Sequence, residues 1–239
     1  MEPLYSGKAK TLYRLEPGKI LMLFRDDVTA FDGKRRESAP GKGELSAKTS
    51  ARLFELLEEH GIPTHYVCYR GGAELVVREA KVLPIEVIVR NYAYGSMLRR
   101  MPLLRRLQKL SRPLVEFHYK SDELHDPLVL PQDIVEAGIV DENALHEIER
   151  LALEANSVLR DFFEPRGYRL LDFKIEVGWV GDKLVIVDEL SGDTMRVLDP
   201  EGRHLDKEVF RRGGSVEELL EAYRRLAAVV GEPRRVCER

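Results

Sequence analysis

The sequence predicts a mixed α+β protein, because strand-like and helix-like patterns alternate along its 239 residues. Three observations lead to this prediction. Residues 6–25 read as two strands around a turn at Pro17-Gly18. Residues 44–60 have the apolar spacing of a helix, and Gly61 suits its end. Residues 170–188 read as a second strand pair. The order of these elements places a boundary between two parts of the chain near residues 80–90.

The middle of the chain continues this mixture. Two strand-like runs centre on Leu75–Val77 and Ile85–Val89. A basic stretch at 99–112 contains leucines at helical spacing, which favours a helix with a solvated basic face. The run Leu114–Tyr119 then predicts another strand.

Helices are predicted after this strand and at the end of the chain. A long apolar stripe predicts a helix near Glu142–Phe163, and Gly167 suits its end. The final helix begins at Ser215, because Ser215 and Glu218 have the spacing of a capping box.

Composition limits the possible functions. Hydrophobic residues make up 44% of the chain, and a formal charge of −3 gives no general attraction to nucleic acid or to an anionic membrane. No apolar run reaches the length of a membrane span, and the N-terminus lacks a signal-peptide core. We therefore expect a cytoplasmic protein. Because Cys68 and Cys237 are the only cysteines, we expect neither a disulfide framework nor a cysteine-rich zinc site.

The stretch "LLDFKIEVGW" at 170–179 has one apolar and one charged face, since strand side chains alternate. Asp172, Lys174 and Glu176 share the charged face. Asp188 and Glu189 follow the apolar run at 184–187, and carboxylates at such a strand end suit Mg²⁺ together with substrate phosphates. The alternative is a ladder of cross-strand ion pairs on a half-exposed sheet.

The length of the hairpin loop distinguishes these two interpretations. A two-residue turn at Gly181-Asp182 places Asp188 on the apolar face, away from Glu176. A three-residue loop brings Asp188 and Glu176 to the same face. We therefore predict an odd-length loop, or an equivalent bulge, between Trp179 and Lys183.

Phosphate ligands are predicted in two segments. "SGKAK" places Lys8 and Lys10 on one strand face after a glycine, although lysines on such a face are often only solvated. In "VLPIEVIVRNYAYGS", Arg90 ends an apolar strand and Ser96 follows Gly95, so a guanidinium, a hydroxyl and a backbone amide are available to a phosphate. The alternative is a strand followed by an ordinary turn.

A long polar loop contains two further candidate residues, Asp27 and Asp32. Loops of this length are often functional, and the alternative is a disordered surface loop.

Taken together, these segments resemble the SAICAR synthetase family of purine biosynthesis. The segments "LPIEVIVRNYAYGS" and "LLDFKIEVG" are specific to it, and the order of "SGKAK", "TAFD", "PGKGE", "HDP" and "DELSGDTMR" also matches. The resemblance covers nearly the whole chain. One departure is Val177, where the family usually has an aromatic residue or isoleucine.

The resemblance implies a fold and an activity. The fold is α+β with two domains: an antiparallel N-terminal sheet domain at 1–84 and an ATP-grasp-like α+β domain at 85–239, with the active site in the cleft between them. The activity is ATP-dependent ligation of carboxyaminoimidazole ribonucleotide (CAIR) to L-aspartate, with Mg²⁺, to give SAICAR, ADP and phosphate. We also expect a homo-oligomer, most simply a dimer, and no nucleic-acid or membrane partner.

The resemblance also implies roles for particular residues. Lys8 and Lys10 meet the ATP phosphates, and the backbone of Lys81, Val82 and Leu83 meets the adenine. Glu176 and Asp188 hold Mg²⁺ and, with Lys174, form the catalytic group. The residues expected to bind the other substrates are Arg90, Ser96, Lys174 and Arg196 and, by a weaker match, Lys120, Asp126, Asp27 and Asp32.

Two other functions would use some of the same residues. A small-molecule kinase would share the Mg²⁺–ATP site, whereas a protein kinase is disfavoured because the H-R-D and D-F-G motifs are absent. A nucleic-acid-binding module would use the basic residues at 99–112 and would bind in a salt-sensitive manner.

Overall fold

A computed structural model describes residues 2–30 and 35–238 of the chain. Within them are thirteen β-strands and six α-helices. The strands, β1 to β13 in chain order, are Pro3–Ser6, Lys10–Glu16, Lys19–Phe24, Asp27–Ala30, Arg35–Ser38, Tyr66–Gly71, Glu74–Arg78, Lys81–Tyr92, Lys109–Tyr119, Leu128–Val129, Arg169–Val180, Lys183–Val187 and Met195–Leu198. The helices, α1 to α6, are Lys42–Glu59, Ser96–Arg100, Pro131–Glu136, Glu142–Phe163, Glu208–Arg211 and Val216–Val230.

The strands form two main antiparallel sheets, which confirms the predicted α+β class. The N-terminal sheet has five strands in the order β1-β2-β3-β7-β6. The second sheet has six strands, with β10, β9, β8 and β11 side by side. Both β12 and β13 pair with the remaining edge of β11, so this strand lies in the middle of the sheet.

Two long helices cover these sheets, and both match the sequence prediction. Helix α1 packs on strands of the five-stranded sheet, and α4 packs on β8, β9 and β11. The last long helix, α6, begins after Ser215, which forms the predicted capping box with Glu218. No helix of the described residues is both long and apolar enough to cross a membrane.

The helix predicted in the basic stretch at 99–112 is wrong. Helix α2 ends at Arg100, and β9 already begins at Lys109. Met101, with φ −131° and ψ 80°, is not helical, and it precedes Pro102, a position that disfavours helix. Leu103, assigned to an apolar stripe, is 88% exposed.

The predicted odd-length loop between Trp179 and Lys183 is also wrong. Val180 pairs directly with Lys183, so β11 and β12 are joined by a two-residue turn. Gly181 has a φ of 58°, a conformation that suits glycine at the first central position of such a turn.

The expectation of no disulfide is corrected by a bond between Cys68 and Cys237, whose Cα atoms are 5.1 Å apart. Residues after α6 run alongside β6: the Tyr69 amide donates to the Arg235 carbonyl, and the Cys237 amide donates to the Tyr69 carbonyl. Buried Glu55 accepts hydrogen bonds from the backbone amides of Arg234 and Arg235. The sequence did not predict this pairing because 169 positions separate the two cysteines.

Reducing this disulfide is expected to lower the free energy of unfolding. A cross-link that closes so long a loop restricts the unfolded chain, and the loss on reduction is about 2–5 kcal/mol. The double variant Cys68→Ser/Cys237→Ser should therefore unfold at lower denaturant concentration than the oxidised protein. Addition of a reductant to the variant is the control, since it should then have no further effect. Equal stability of the oxidised wild type and the double variant would contradict this expectation.

Candidate active site

The charged face of β11 is covered by protein rather than open to water. Asp172 and Glu176 are each only 4% exposed. On the opposite face, Phe173 and Ile175 are fully buried in the main core. The charged face is therefore largely buried rather than half-exposed, and its residues form cross-strand ion pairs, Arg90 with Asp172 and Lys174 with Glu86.

Asp188 reaches this charged face although the hairpin has the shorter turn. Strand β12 ends at Val187, and Asp188 has a φ of 69°, so the chain leaves the strand geometry at this residue. Its carboxylate lies 3.6 Å from Lys174 Nζ, which also donates to Glu176 at 3.2 Å. His65 Nε2 donates to the Asp188 carbonyl at 3.2 Å. The change in backbone direction at Asp188, rather than an odd-length loop, therefore brings Asp188 and Glu176 to the same face.

Three lysines and four carboxylates form a lysine–carboxylate cluster around this point. Lys10 Nζ, from the N-terminal sheet, donates to Asp188 and to Glu189, the latter at 2.7 Å. In addition, Lys174 donates to Glu86 at 2.9 Å and Lys120 donates to Glu176 at 2.5 Å. The members are Lys10, Glu86, Lys120, Lys174, Glu176, Asp188 and Glu189.

The pKa values of the cluster reflect these contacts. Burial alone would lower the pKa of Lys10, but the attraction of Asp188 and Glu189 outweighs burial, so the pKa is raised. Burial would also lower the pKa of Lys174, but the attraction of Asp188, Glu176 and Glu86 outweighs burial, so this pKa is raised as well. Burial would raise the pKa of Asp188, but Lys10 and Lys174 lower it. Burial lowers the pKa of His65 to about 4. At neutral pH the two lysines and Asp188 are therefore charged, and His65 is neutral.

The donor set of the cluster suits a hard divalent cation. Glu176 and Asp188 lie 3.2 and 3.6 Å from Lys174 Nζ, so the two carboxylates flank the same ammonium group. The described residues contain no group of three or more His, Cys, Asp or Glu side chains arranged to hold a metal. Mg²⁺ does not need such a group, because it is usually held by one or two carboxylates together with substrate phosphates and water.

An arginine-lined cavity, here called the arginine cavity, opens beside the cluster. It is lined by Arg90, Ser96, Asp172 and Arg196, and also by Lys174 of the cluster. Arg90 NH1 donates to Asp172 at 2.9 Å, and its NH2 donates to Ser96 Oγ at 2.9 Å. Arg196 NH1 donates to the same Asp172 oxygen at 2.8 Å. Four of the predicted substrate-binding residues, Arg90, Ser96, Lys174 and Arg196, therefore line one cavity.

Gly95 is required at the edge of this cavity. Its φ of 58° and ψ of −131° are accessible only to glycine at low cost. A Cβ atom at this position would lie 2.9 Å from Arg196 NH1. The glycine in "NYAYGS" thus allows the Arg196 guanidinium to lie against the backbone that precedes Ser96.

The residues predicted to contact adenine lie at the start of β8. Lys81 and Val82 are exposed, with Val82 at 48%, whereas Leu83 is buried. Gly178 of β11 pairs with Val82, and a Cβ atom at Gly178 would lie 2.9 Å from the Lys81 carbonyl. The glycine therefore allows close approach of the two strands at this edge.

Three other predicted residues, Lys8, Asp126 and Asp27, lie outside the cluster and the arginine cavity. Lys8 is in the bend between β1 and β2, not on a strand, and pairs with Asp122 at 2.5 Å. Asp126 accepts a hydrogen bond from the Ser121 amide within its own turn. Asp27 begins β4 and pairs with Arg25 at 2.6 Å. Asp32 lies outside the described residues.

Sequence reasoning missed several residues of the site. Glu86 faces Glu176 across β8 and β11, which only the strand pairing reveals. Asp193 and Arg211 line the arginine cavity, and Asp193 forms a buried ion pair with Lys42 at 2.5 Å. Lys42 and Asp193 belong to the segments "PGKGE" and "DELSGDTMR", so their presence in family-like segments was the available signal.

Comparison with known sequences gives a consistent result. The family model described as SAICAR synthetase matches residues 3–228. A phosphoribosylaminoimidazole-succinocarboxamide synthase of Caldivirga maquilingensis is 51% identical over 95% of this chain and 95% of its own length. The enzyme of the same name from Pyrobaculum aerophilum is 51% identical, with 97% and 98% covered.

Solved structures of similar chains agree. A structure described as SAICAR synthetase (Type-2) in complex with ADP has a TM-score of 0.91 and 40% identity, covering 98% of this chain and all of that chain. SAICAR synthetase from Pyrococcus horikoshii has a TM-score of 0.88 and 39% identity, with 95% and 100% covered. The similarity in both sequence and fold therefore extends over nearly the whole chain.

Proposed function

This chain belongs to the SAICAR synthetase family, and from that premise we propose which of its residues carry out each part of the reaction. The activity is the ATP-dependent ligation of CAIR to L-aspartate, which gives SAICAR, ADP and phosphate. The enzyme is a ligase of purine biosynthesis. The small-molecule kinase considered above is not favoured by these relatives.

The observation that supports the assignment of residues is their order along one face of β11. Asp172 contacts the arginines, Lys174 lines the arginine cavity and contacts the carboxylates, and Glu176 lies within the cluster. Residues 172 and 176 are about 13 Å apart along the strand. A ribonucleotide has its phosphate at one end and its base at the other. One extended substrate therefore fits with its phosphate at the arginines and its carboxylated base toward Lys174.

We assign the ribonucleotide phosphate to Arg90, Ser96 and Arg196. Two guanidinium groups and a hydroxyl offer several N–H and O–H donors to phosphate oxygens. The pKa of Arg196 is raised above its ordinary value, because the attraction of Asp172 and Glu208 outweighs burial. The charge of this group is therefore permanent under the conditions of the reaction.

We assign the ATP phosphates to the cluster, with Lys10 as the principal cation. Lys10 belongs to β2 of the N-terminal sheet, and its amine contacts Asp188, which directly follows β12 of the second sheet. We also assign Lys8, which pairs with Asp122 outside the cluster in this structure, to the ATP phosphates, and the edge formed by Lys81–Leu83 to the adenine. Glu176 and Asp188 hold Mg²⁺, which when bound neutralises phosphate charge.

The reaction requires the site to bring together three anionic substrates, which are CAIR, ATP and L-aspartate. A carboxylate is a poor acyl donor, so its oxygen first takes the terminal phosphoryl group of ATP, and ADP leaves. The aspartate amine then attacks the acyl carbon, the amide bond forms and phosphate leaves. Lys174 neutralises the CAIR carboxylate beside the ATP site, and Lys10 stabilises charge on the phosphoryl group. The residues therefore act by positioning and charge, without a side-chain nucleophile.

The remaining assignments are also proposals. Lys120, whose amine contacts Glu176, lies beside the reacting end of CAIR. We also assign Asp27, Asp32 and Asp126 to substrate binding. The division into domains at 1–84 and 85–239, with an ATP-grasp-like fold for the second, stays a prediction. So do a cleft between the domains, a homodimer, a cytoplasmic location and the absence of a nucleic-acid partner.

Phosphate release from ATP tests the proposal. Purified protein given CAIR, ATP, Mg²⁺ and L-aspartate is expected to form ADP, phosphate and SAICAR. Omission of CAIR should abolish release because no carboxylate is then present to accept the phosphoryl group, and chelation of Mg²⁺ should abolish it because no metal is bound. Folded protein that forms no SAICAR under the full conditions would falsify the assignment. Formation of a stable phosphorylated product without L-aspartate would instead indicate a kinase.

A further inference from the structure

We propose that Asp172 is the positioning residue of the ribonucleotide phosphate site. Its carboxylate holds Arg90 and Arg196 together, so that their remaining N–H groups are arranged for one phosphate before it binds. This inference rests on the proposed function, in which these two arginines bind the phosphate of CAIR.

The geometry that supports this role is a shared oxygen atom. Asp172 Oδ2 accepts from Arg90 NH1 at 2.9 Å and from Arg196 NH1 at 2.8 Å. The residue is 4% exposed, so water contributes little screening. Two guanidinium ions held so close would repel each other, and the carboxylate between them removes that repulsion while fixing their separation.

The other partners of Arg90 fix the orientation of its guanidinium group but do not use all of its N–H donors. Arg90 donates from Nε to Glu116 at 2.8 Å and from NH2 to Ser96 at 2.9 Å. A guanidinium has five N–H donors, so the three bonds with Glu116, Asp172 and Ser96 leave one donor on each terminal nitrogen. These are the two nitrogens that a phosphate contacts in a bidentate arrangement.

Asp172, rather than Glu116, connects the two arginines. Within residues 2–30 and 35–238, Glu116 pairs with Arg90, Arg100 and His118, whereas Asp172 is the carboxylate that pairs with both Arg90 and Arg196. Asp172 also lines the arginine cavity. Its position in the middle of β11, between β8 and β13, fixes its side chain on a rigid element.

The test measures how much the phosphate contributes to binding. Calorimetric titration with CAIR and with its riboside, which lacks only the phosphate, gives a ratio of dissociation constants for each protein. Asp172→Asn keeps the shape of the side chain but removes its charge, and its amide N–H₂ faces a guanidinium. We expect the preference for CAIR over the riboside to fall about tenfold or more, which corresponds to about 1.4 kcal/mol, with riboside binding unchanged.

Asp199→Asn is the matched control. Asp199 is a fully buried aspartate that also bridges two arginines, Arg203 and Arg225, but it does not line the arginine cavity. It should lose stability and retain the wild-type preference for CAIR. If Asp172→Asn does not fold, Asp172→Glu is used instead. This variant keeps the charge but displaces both guanidinium groups by the length of one methylene. The preference for CAIR over the riboside should again fall.

The outcomes separate this inference from the function on which it rests. Wild-type protein that binds neither ligand, or shows no preference for CAIR, overturns the proposed phosphate site itself. A wild-type preference that persists in Asp172→Asn, or an equal loss of affinity for both ligands, overturns the positioning role and leaves the phosphate site in place.

Discussion

Replacing Lys174 with methionine is expected to reduce SAICAR synthesis by about three orders of magnitude, because the cation beside the reacting carboxylate is lost. Lys174 Nζ lies 2.9 Å from Glu86, 3.2 Å from Glu176 and 3.6 Å from Asp188. Without it, the carboxylate of CAIR would enter a site of three carboxylates. The free energy of unfolding should also fall, by about 3 kcal/mol, since partly buried charges lose their partner. Steady-state rates and denaturant unfolding measure the two effects.

Two further variants show whether the loss is catalytic. Lys183→Met is the matched control, because Lys183 is exposed at the start of β12 in the same hairpin and should leave the rate unchanged. Lys174→Arg keeps the charge and should restore stability more than the rate, since a guanidinium places its charge differently from an amine. A Lys174→Met variant that folds, is less stable than the wild type and keeps the wild-type rate would make this lysine a structural residue only.

Replacing Arg90 with alanine is expected to weaken binding of CAIR by about 10- to 100-fold while ATP binding stays nearly unchanged. Arg90 lines the arginine cavity, and its side-chain hydrogen bonds within the described part of the chain go to Glu116, Asp172 and Ser96, which lie outside the lysine–carboxylate cluster. The same change leaves Glu116 and Asp172 buried without this partner. The free energy of unfolding should therefore fall by about 3–5 kcal/mol. Separate titrations with CAIR and ATP, on protein shown to be folded, distinguish the two ligands.

Arg225→Ala is the control for the loss of a buried pairing. Arg225 contacts Asp199, which is buried outside the arginine cavity, so this variant should be less stable but bind CAIR normally. Equal losses of CAIR and ATP affinity in Arg90→Ala, or no loss of either, would show that Arg90 supports the fold and does not bind phosphate.

The relation between sequence and site is clearest in β11. Alternation of side chains predicted that Asp172, Lys174 and Glu176 share a face, and this is confirmed. The sequence did not predict how Asp188 joins them, because we assumed that a residue after β12 continues its alternation. A φ of 69° at Asp188 ends that alternation, and it is supported by His65 from a segment more than a hundred positions away.

By itself, the sequence determined the properties that depend on neighbouring residues: the α+β class, the long helices, the capping box at Ser215 and the segments that identify the family. Only the tertiary structure decided which distant groups meet. Lys10 reaches Asp188 across two sheets, Asp172 bridges two arginines, and Cys237 bonds to Cys68. The physical reason is that periodicity follows from local backbone geometry, whereas ion pairs and disulfides depend on distances through space, which strand pairing and packing fix only when the whole chain has folded.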